Sequence, residues 1–430
     1  MNYSDAIGFL YGLRLHGLKL GLDNTRALAA MAGDPQKRLR FIHVAGTNGK
    51  GSTCAMLEAI YRRAGYRVGL FTSPHLVSFR ERMQVNREWI GEGAVVRLAM
   101  AMRGWIGAFP AEHCPTFFEV ITVMALLHFV DQDCDLVIWE TGMGGRLDAT
   151  NIVLPEASVI TSIHLDHMRW LGATLSEIAV EKAGIIKRGV PVVSAAQDST
   201  VLDVLRARTE ELESSLTVVD PQVEGCGLPP GWDCALPGLH QRANAALSVA
   251  TARALRRRIP VEDEAIQLGL SGVEWPGRMQ VVTAQGGGRL LLDGAHNPSG
   301  IQALVDGMRH AFPAESPVFI IGMLQDKDWG AMAVRLARCA RRILVVPVRS
   351  DRGLAPESLA EACRLPGQAA ADVQVAPSLA AALQSFEAEP FVVVTGSLYL
   401  VGEAMALLDL LPGASVDELD LNDWAPGANP

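Results

Sequence analysis

The sequence predicts an α/β protein with two mostly parallel sheets, and three observations carry that expectation. Short apolar runs of strand length alternate with longer amphipathic stretches, the pattern of repeated β-α-β units. The alternation lapses between about Glu211 and Pro237 and restarts after Trp275-Pro276-Gly277-Arg278. At roughly 150 residues per domain, a chain of 430 residues suits two or three domains. We expect one domain over residues 1–275 and a second, smaller one over 276–430.

The first series of strands is expected at Arg40–Ala45, Arg67–Thr72, Asp135–Glu140, Ser158–Ser162 and Pro191–Ser194. A helix from Ser52 to Arg63 follows from the spacing of Met56, Leu57 and Ile60. Residues 211–237, rich in Pro and Gly, read as an insertion or loop before a helix from His240 to about Arg257. The second series comprises Met279–Thr283, Arg289–Leu292, Val318–Met323, Ile343–Pro347 and Phe391–Thr395. The acidic segment 412–430, rich in Pro, Gly and Asn, is expected to be flexible and to fray.

Composition narrows the function. With 38 Lys+Arg against 47 Asp+Glu, the net charge of −9 disfavours a protein that coats nucleic acid. The longest apolar run, Val120–Leu127, falls short of the ~18 residues that cross a bilayer, and the N-terminus has no signal-peptide pattern. A cytoplasmic enzyme is expected. The seven cysteines contain no CxxC spacing and read as scattered thiols.

The run Arg40–Ala45 feeds Gly46-Thr47-Asn48-Gly49-Lys50-Gly51-Ser52-Thr53, and a helix follows. Glycines let backbone N–H groups approach phosphate oxygens, the helix N-terminus adds partial positive charge, Lys50 adds a full one, and Ser52 offers a hydroxyl for Mg²⁺. The competing reading is a plain turn. Val44 stands where the standard loop has its first glycine, and Gly51 delays the hydroxyl by one place.

Glu140 ends an apolar strand before Thr141-Gly142-Met143-Gly144-Gly145-Arg146, where open α/β sheets place their chemistry. A carboxylate beside phosphates needs a divalent cation between them, so Glu140 reads as a metal ligand, or else as a solvated strand-end acid. Ser73, His75 and His167 follow strand ends and could contribute to that metal. Lys182 has two readings: a surface ion pair with Glu181 or Glu177, or a buried amine whose pKa is displaced.

Together these strings resemble the folylpolyglutamate synthase and dihydrofolate synthase family of the Mur ligase superfamily. The resemblance runs through GTNGKGS from Gly46, SPHL from Ser73, ERMQVNR from Glu81, TFFE from Thr116, GGRLDATN from Gly144, LDH from Leu165 and EKAGI from Glu181. It continues with WPGR from Trp275, DGAHNP from Asp293, DKD from Asp326 and GS from Gly396. It departs at Trp139 and Thr141, where the family commonly carries aliphatic residues.

The resemblance implies a P-loop ATPase-like domain plus a Rossmann-like ligase domain, with ATP and substrates meeting between them. Gly46, Thr47, Asn48, Gly49, Lys50, Gly51 and Ser52 would hold the ATP phosphates, with Asn244, Arg278 and Asp293 also on the nucleotide. Ser52, Ser73, Glu140 and His167 would hold Mg²⁺. Lys182 would be carbamylated and support a second ion. Lys50, Lys182 and His296 would act at the ligation centre, with Ser397 near the glutamate. Arg82, Thr116, Phe118, Asp148 and Ala149 match positions that contact pterin in bifunctional members.

The implied reaction joins L-glutamate to dihydropteroate or to a folate carboxylate through an acyl phosphate. A monomer acting on small molecules, without nucleic acid or membrane partners, is the family expectation. The rivals are a Mur-type peptide ligase acting on a UDP-sugar peptide, a phosphotransferase, and a nucleotide-binding regulator without turnover.

Overall fold

A computed structural model of the chain describes residues 1–17, 21–221, 223, 227–283, 288–364, 372–384, 389–411 and 418. Eight strands form the first sheet: β1 (Phe41–Ala45), β2 (Val68–Phe71), β3 (Met83–Val85), β4 (Glu88–Trp89), β5 (Leu136–Glu140), β6 (Ala157–Ile160), β7 (Val192–Ala195) and β8 (Leu216–Val219). Their spatial order is β4-β3-β2-β5-β1-β6-β7-β8. The pairs from β2 through β8 are parallel, and the β3–β4 hairpin runs antiparallel at one edge.

Both faces of this sheet are covered, which is why its central strands are buried along their whole length and mostly apolar. The helix Lys50–Arg63 is buried continuously from Ser52 to Tyr61, and it packs against the helices Leu239–Ala254 and Asp263–Ser271. On the other face, the helix Phe117–Asp131 buries the run Val120–Leu126, while Phe129 of that helix meets Trp139 of β5, which also packs on Phe41 and Phe71. An all-round apolar helix is what a two-sided core requires. Among the described residues, no helix is long and apolar enough to cross a membrane.

The second sheet contains β9 (Gln280–Thr283), β10 (Arg289–Leu292), β11 (Val318–Ile321), β12 (Arg342–Val345), β13 (Asp372–Val375) and β14 (Phe391–Thr395). Its order is β13-β12-β11-β14-β10-β9, parallel except for β9. In each sheet strand order breaks beside a central strand: β1 lies between β5 and β6, and β14 is inserted between β10 and β11. Such switch points open crevices beyond the carboxyl ends of the strands.

Every expected strand is present, with ends shifted by at most two residues. The loop expected over 211–237 is corrected in part, because β8 lies within it and extends the sheet alongside β7. Flexibility of 412–430 does not hold at Glu418, which is buried against Ser78 and Phe79; the remainder of that segment lies outside the described residues, as does Cys226. The described cysteines are free thiols.

Candidate functional site

The carboxyl ends of both sheets face one cavity of about 510 Å³. It is lined from one side by the segments after β1, β2, β5 and β6, and from the other by those after β10, β11 and β14. Every site residue proposed from the sequence lines this cavity. His75, considered as a metal ligand, does not; it lies behind the wall, bonded to Arg82 and to the carbonyl of Glu418.

The loop after β1 is fixed by its backbone. Gly46 has φ +154°, and a Cβ there would sit 1.7 Å from Thr161 Oγ1, so only glycine fits. Thr47 N donates to the Ser162 carbonyl at 2.8 Å, tying the loop to the segment after β6. Lys50 opens the helix, and its Nζ donates back to the carbonyls of Gly46 (3.2 Å) and Thr47 (3.3 Å). The ammonium is thereby suspended over the loop whose N–H groups form an anion cradle.

Lys182, near the end of the helix Leu175–Ala183, is 4% exposed, and its Nζ donates to the Gly46 carbonyl at 2.6 Å. The surface-ion-pair reading is therefore overturned; Glu181 pairs instead with Arg146. Burial, reinforced by Lys50 and opposed by Asp166 and Asp148, pushes the Lys182 amine down to about 7. Its helix end is held by close backbone contact: a Cβ on Gly184 would lie 2.3 Å from Arg146 Cα, and one on Gly145 would lie 2.9 Å from the carbonyl oxygens of Glu181 and Lys182.

Glu140 closes β5 and is 3% exposed; its Oε2 accepts from Ser73 N at 3.0 Å. Burial raises its carboxyl to about 6, against the pull of Lys50, the Ser73 N–H, Arg278 and Arg82. Among the described residues no three His, Cys, Asp or Glu side chains gather into a ready-made metal cage. One carboxylate with nearby hydroxyls nevertheless suits Mg²⁺, which takes few protein ligands and completes its shell with phosphate oxygens and water. His167 is held neutral by burial and by Lys327, at about 3, so its imidazole can serve as a ligand.

The second sheet contributes a polar group that reaches across the cleft. Lys327 Nζ lies 2.6 Å from Asp166 Oδ1 and 3.4 Å from His167 Nε2, with Lys327 and Asp166 side chains both 7% exposed. Asn297 Nδ2 donates to Asp166 Oδ2 at 3.1 Å and to Asn48 Oδ1 at 2.9 Å, so it joins the phosphate loop to the helix Pro298–Ala311 that it caps. Burial alone would raise the Asp166 carboxyl, yet neighbouring His167, Lys327 and His296 hold it well below the usual range. His296 is also neutral near pH 7, at about 4, so Lys327 is the cation that keeps Asp166 ionised.

Other candidates are structural as well as cavity-lining. Asp293 accepts from Met279 N and Ala295 N, both at 2.9 Å, and Ser397 caps the helix Leu398–Leu407. Asn244 donates to Gln241 Oε1 at 3.0 Å. Thr116 caps the helix that carries Phe118. Asp148 accepts from Met143 N (2.8 Å) and from Thr150 N and Oγ1. Because the Thr150 hydroxyl donates to Asp148, it must accept from His43 Nε2 at 2.9 Å, which fixes that proton on Nε2. Phe117, Phe118, Met143 and Leu147 give the cavity an apolar wall beside Arg82.

Sequence reasoning missed Asp166, Lys327 and Asn297 as site residues. Their signal was present in the LDH, DKD and DGAHNP strings, but nothing in the sequence said that these strings meet.

Comparison with known proteins agrees with this geometry. Residues 44–220 match the Mur ligase middle domain and residues 277–398 the Mur ligase glutamate ligase domain. The chain is 36% identical to the dihydrofolate synthase/folylpolyglutamate synthase of Bacillus subtilis, over 93% of this chain and 98% of that one. The chain belongs to the dihydrofolate synthase/folylpolyglutamate synthase family. Escherichia coli FolC in complex with DHPP and ADP superimposes with a TM-score of 0.83 at 33% identity, covering 95% of this chain and 98% of that one. The Mycobacterium tuberculosis folylpolyglutamate synthase complexed with ADP and AMPPCP gives 0.85 at 29%, covering 94% and 99%. As a member of this family, the chain is an ATP-dependent glutamate ligase with a Mur ligase fold.

Proposed function

We propose that the chain joins L-glutamate both to dihydropteroate and to tetrahydrofolate (poly)glutamates, as a cytoplasmic monomer. One observation carries the reading: a single cavity has a phosphate cradle and an apolar wall beside Arg82 on one side, and His296 and Lys327 on the other. A carboxylate in water does not condense with an amine, because its oxygen is a poor leaving group. Transfer of the γ-phosphoryl group of ATP to that oxygen releases ADP and makes an acyl phosphate. The neutral glutamate amine then attacks the acyl carbon, the C–O bond breaks, and phosphate leaves with one former carboxylate oxygen as the amide forms.

Catalysis of this kind is positioning and charge neutralisation. The N–H groups from Gly46 to Ser52, with Lys50, hold the phosphates, while Asn244, Arg278 and Asp293 hold the rest of the nucleotide. Phe118, Ala149 and the apolar wall take the flat pterin, with Arg82, Thr116 and Asp148 on its polar edge. Lys327, His296 and Ser397 orient the glutamate. Mg²⁺, held by Ser52, Ser73, Glu140 and His167, would neutralise phosphate charge as it shifts to the leaving ADP. With its amine displaced to about 7, Lys182 is in large part neutral at pH 7; that form can add CO₂, losing one proton, to become a carbamate anion suited to a second ion.

The test is to supply the pure protein with ATP, glutamate and either dihydropteroate or tetrahydrofolate, with ¹⁸O in the pterin carboxylate. One labelled oxygen should appear in inorganic phosphate for each amide formed, with both acceptors. ATP consumption without an amide overturns the ligase reading, and turnover of one acceptor alone overturns the dual specificity.

A further inference from the structure

A residue close to the end of the chain is wired into the wall of the substrate cavity. Glu418 is 6% exposed. Its Oε2 accepts from Ser78 Oγ at 2.9 Å and from Phe79 N at 2.7 Å, and the Tyr3 hydroxyl lies 3.2 Å from both carboxylate oxygens. Ser78 and Phe79 sit at the start of the short 3-10 helix Phe79–Arg82, whose last residue is Arg82.

The backbone of Glu418 acts at the other end of the same helix. Its carbonyl oxygen lies 2.9 Å from His75 Nε2, and a carbonyl can only accept, so His75 carries its proton on Nε2. His75 Nδ1 is then a lone pair, and it accepts from Arg82 Nε at 2.8 Å. The opposite tautomer would set one N–H against another. Arg82 is 3% exposed, lies with its guanidinium carbon 5.4 Å from the Phe117 ring centroid, and lines the cavity. A buried guanidinium is aimed by the acceptors around it, and here one of them has its tautomer set by the carbonyl of residue 418.

We propose that Glu418 is a positioning residue for the pterin substrate: its carboxylate anchors the chain at Ser78 and Phe79, and its carbonyl orients His75 so that Arg82 points into the cavity. The inference rests on the assignment of Arg82 to the pterin. It means that a residue following the C-terminal unit completes a pocket in the N-terminal one.

Full-length Glu418→Ala and Glu418→Gln test it, with separate KM values for dihydropteroate, ATP and glutamate, and with thermal melting. Gln keeps an acceptor where Oε2 stands, so it should restore what Ala loses. The expected result for Glu418→Ala is a rise of about tenfold in KM for dihydropteroate, with KM for ATP unchanged and Glu418→Gln close to wild type. An unchanged KM for dihydropteroate overturns the proposal. So does a parallel rise in all three KM values with a lowered melting point, which marks a merely stabilising clasp. Should Glu418→Ala not fold, Ser78→Ala removes a single donor and is read by the same criterion. Failure of the ligase reading is distinguishable, because it would leave the wild-type protein without amide product.

Discussion

On the N-terminal side of the cleft two lysines are held by the backbone: Lys50 by the carbonyls of Gly46 and Thr47, and Lys182 by that of Gly46. On the C-terminal side Lys327 is held by Asp166, a carboxylate of the opposite unit. The first arrangement is complete within one unit and is set as that unit folds. The second exists only where the two units meet, so it depends on how they pack together. The difference teaches that an anion cradle can be local, whereas a site for two different substrates is made by juxtaposition.

The largest expected effect tests the local half. Lys50→Ala should lower kcat/KM for ligation by about 10³-fold or more while the melting temperature stays near wild type; near-normal turnover would show that the loop does not hold the phosphates. Glu140→Ala should cost about 10²-fold and remove the response to added Mg²⁺. Because the Glu140 carboxyl sits at about 6, wild-type activity at limiting Mg²⁺ should fall as pH drops through 6 and its ligating oxygen is protonated. A flat profile from pH 5 to 8 would exclude that role.

The composite half is tested by Lys327→Met, which strands a buried Asp166. Loss of one partner of such a pair costs about 3 kcal/mol, and Asp166→Asn in the same chain should recover part of it, as read by denaturant midpoints. Additive single and double variants would mean that the pair does not join the units. The smallest effect separates the two sheets. Burial holds His43 of β1 at about 3, below its ordinary 6.5, whereas the strands of the second sheet carry no histidine. A depressed histidine contributes stability that is present above 6.5 and lost as pH falls towards 3. Acid should therefore loosen the first sheet earlier, by amide exchange, and His43→Gln should flatten that slope; equal loosening in both sheets would contradict it.

The same contrast explains what could be read in advance. The buried central strands are mostly apolar runs and were legible. β8 and β13, largely exposed at sheet edges, and the short hairpin of β3 and β4 were not. That hairpin turns on Asn86-Arg87, both at positive φ, without the glycine that usually marks such a turn. Lys50 and Glu140 were legible because loop, strand end and chemistry lie together in sequence. Lys327 was not, since its meaning depends on Asp166, 161 residues away. Lys182 looked like a surface residue because burial of a helix end depends on what packs over it.

The contact between Gly184 and the 144–146 segment bears on how Lys182 could be manipulated. Little but main chain, with Arg146 Cβ and Ile185 Cγ2, separates the two, so adding one methyl group at Gly145 or Gly184 would wedge them apart and shift the amine while leaving the lysine itself in place. A graded series of such wedges would calibrate activity against displacement, a quantity that replacing the lysine itself can never report.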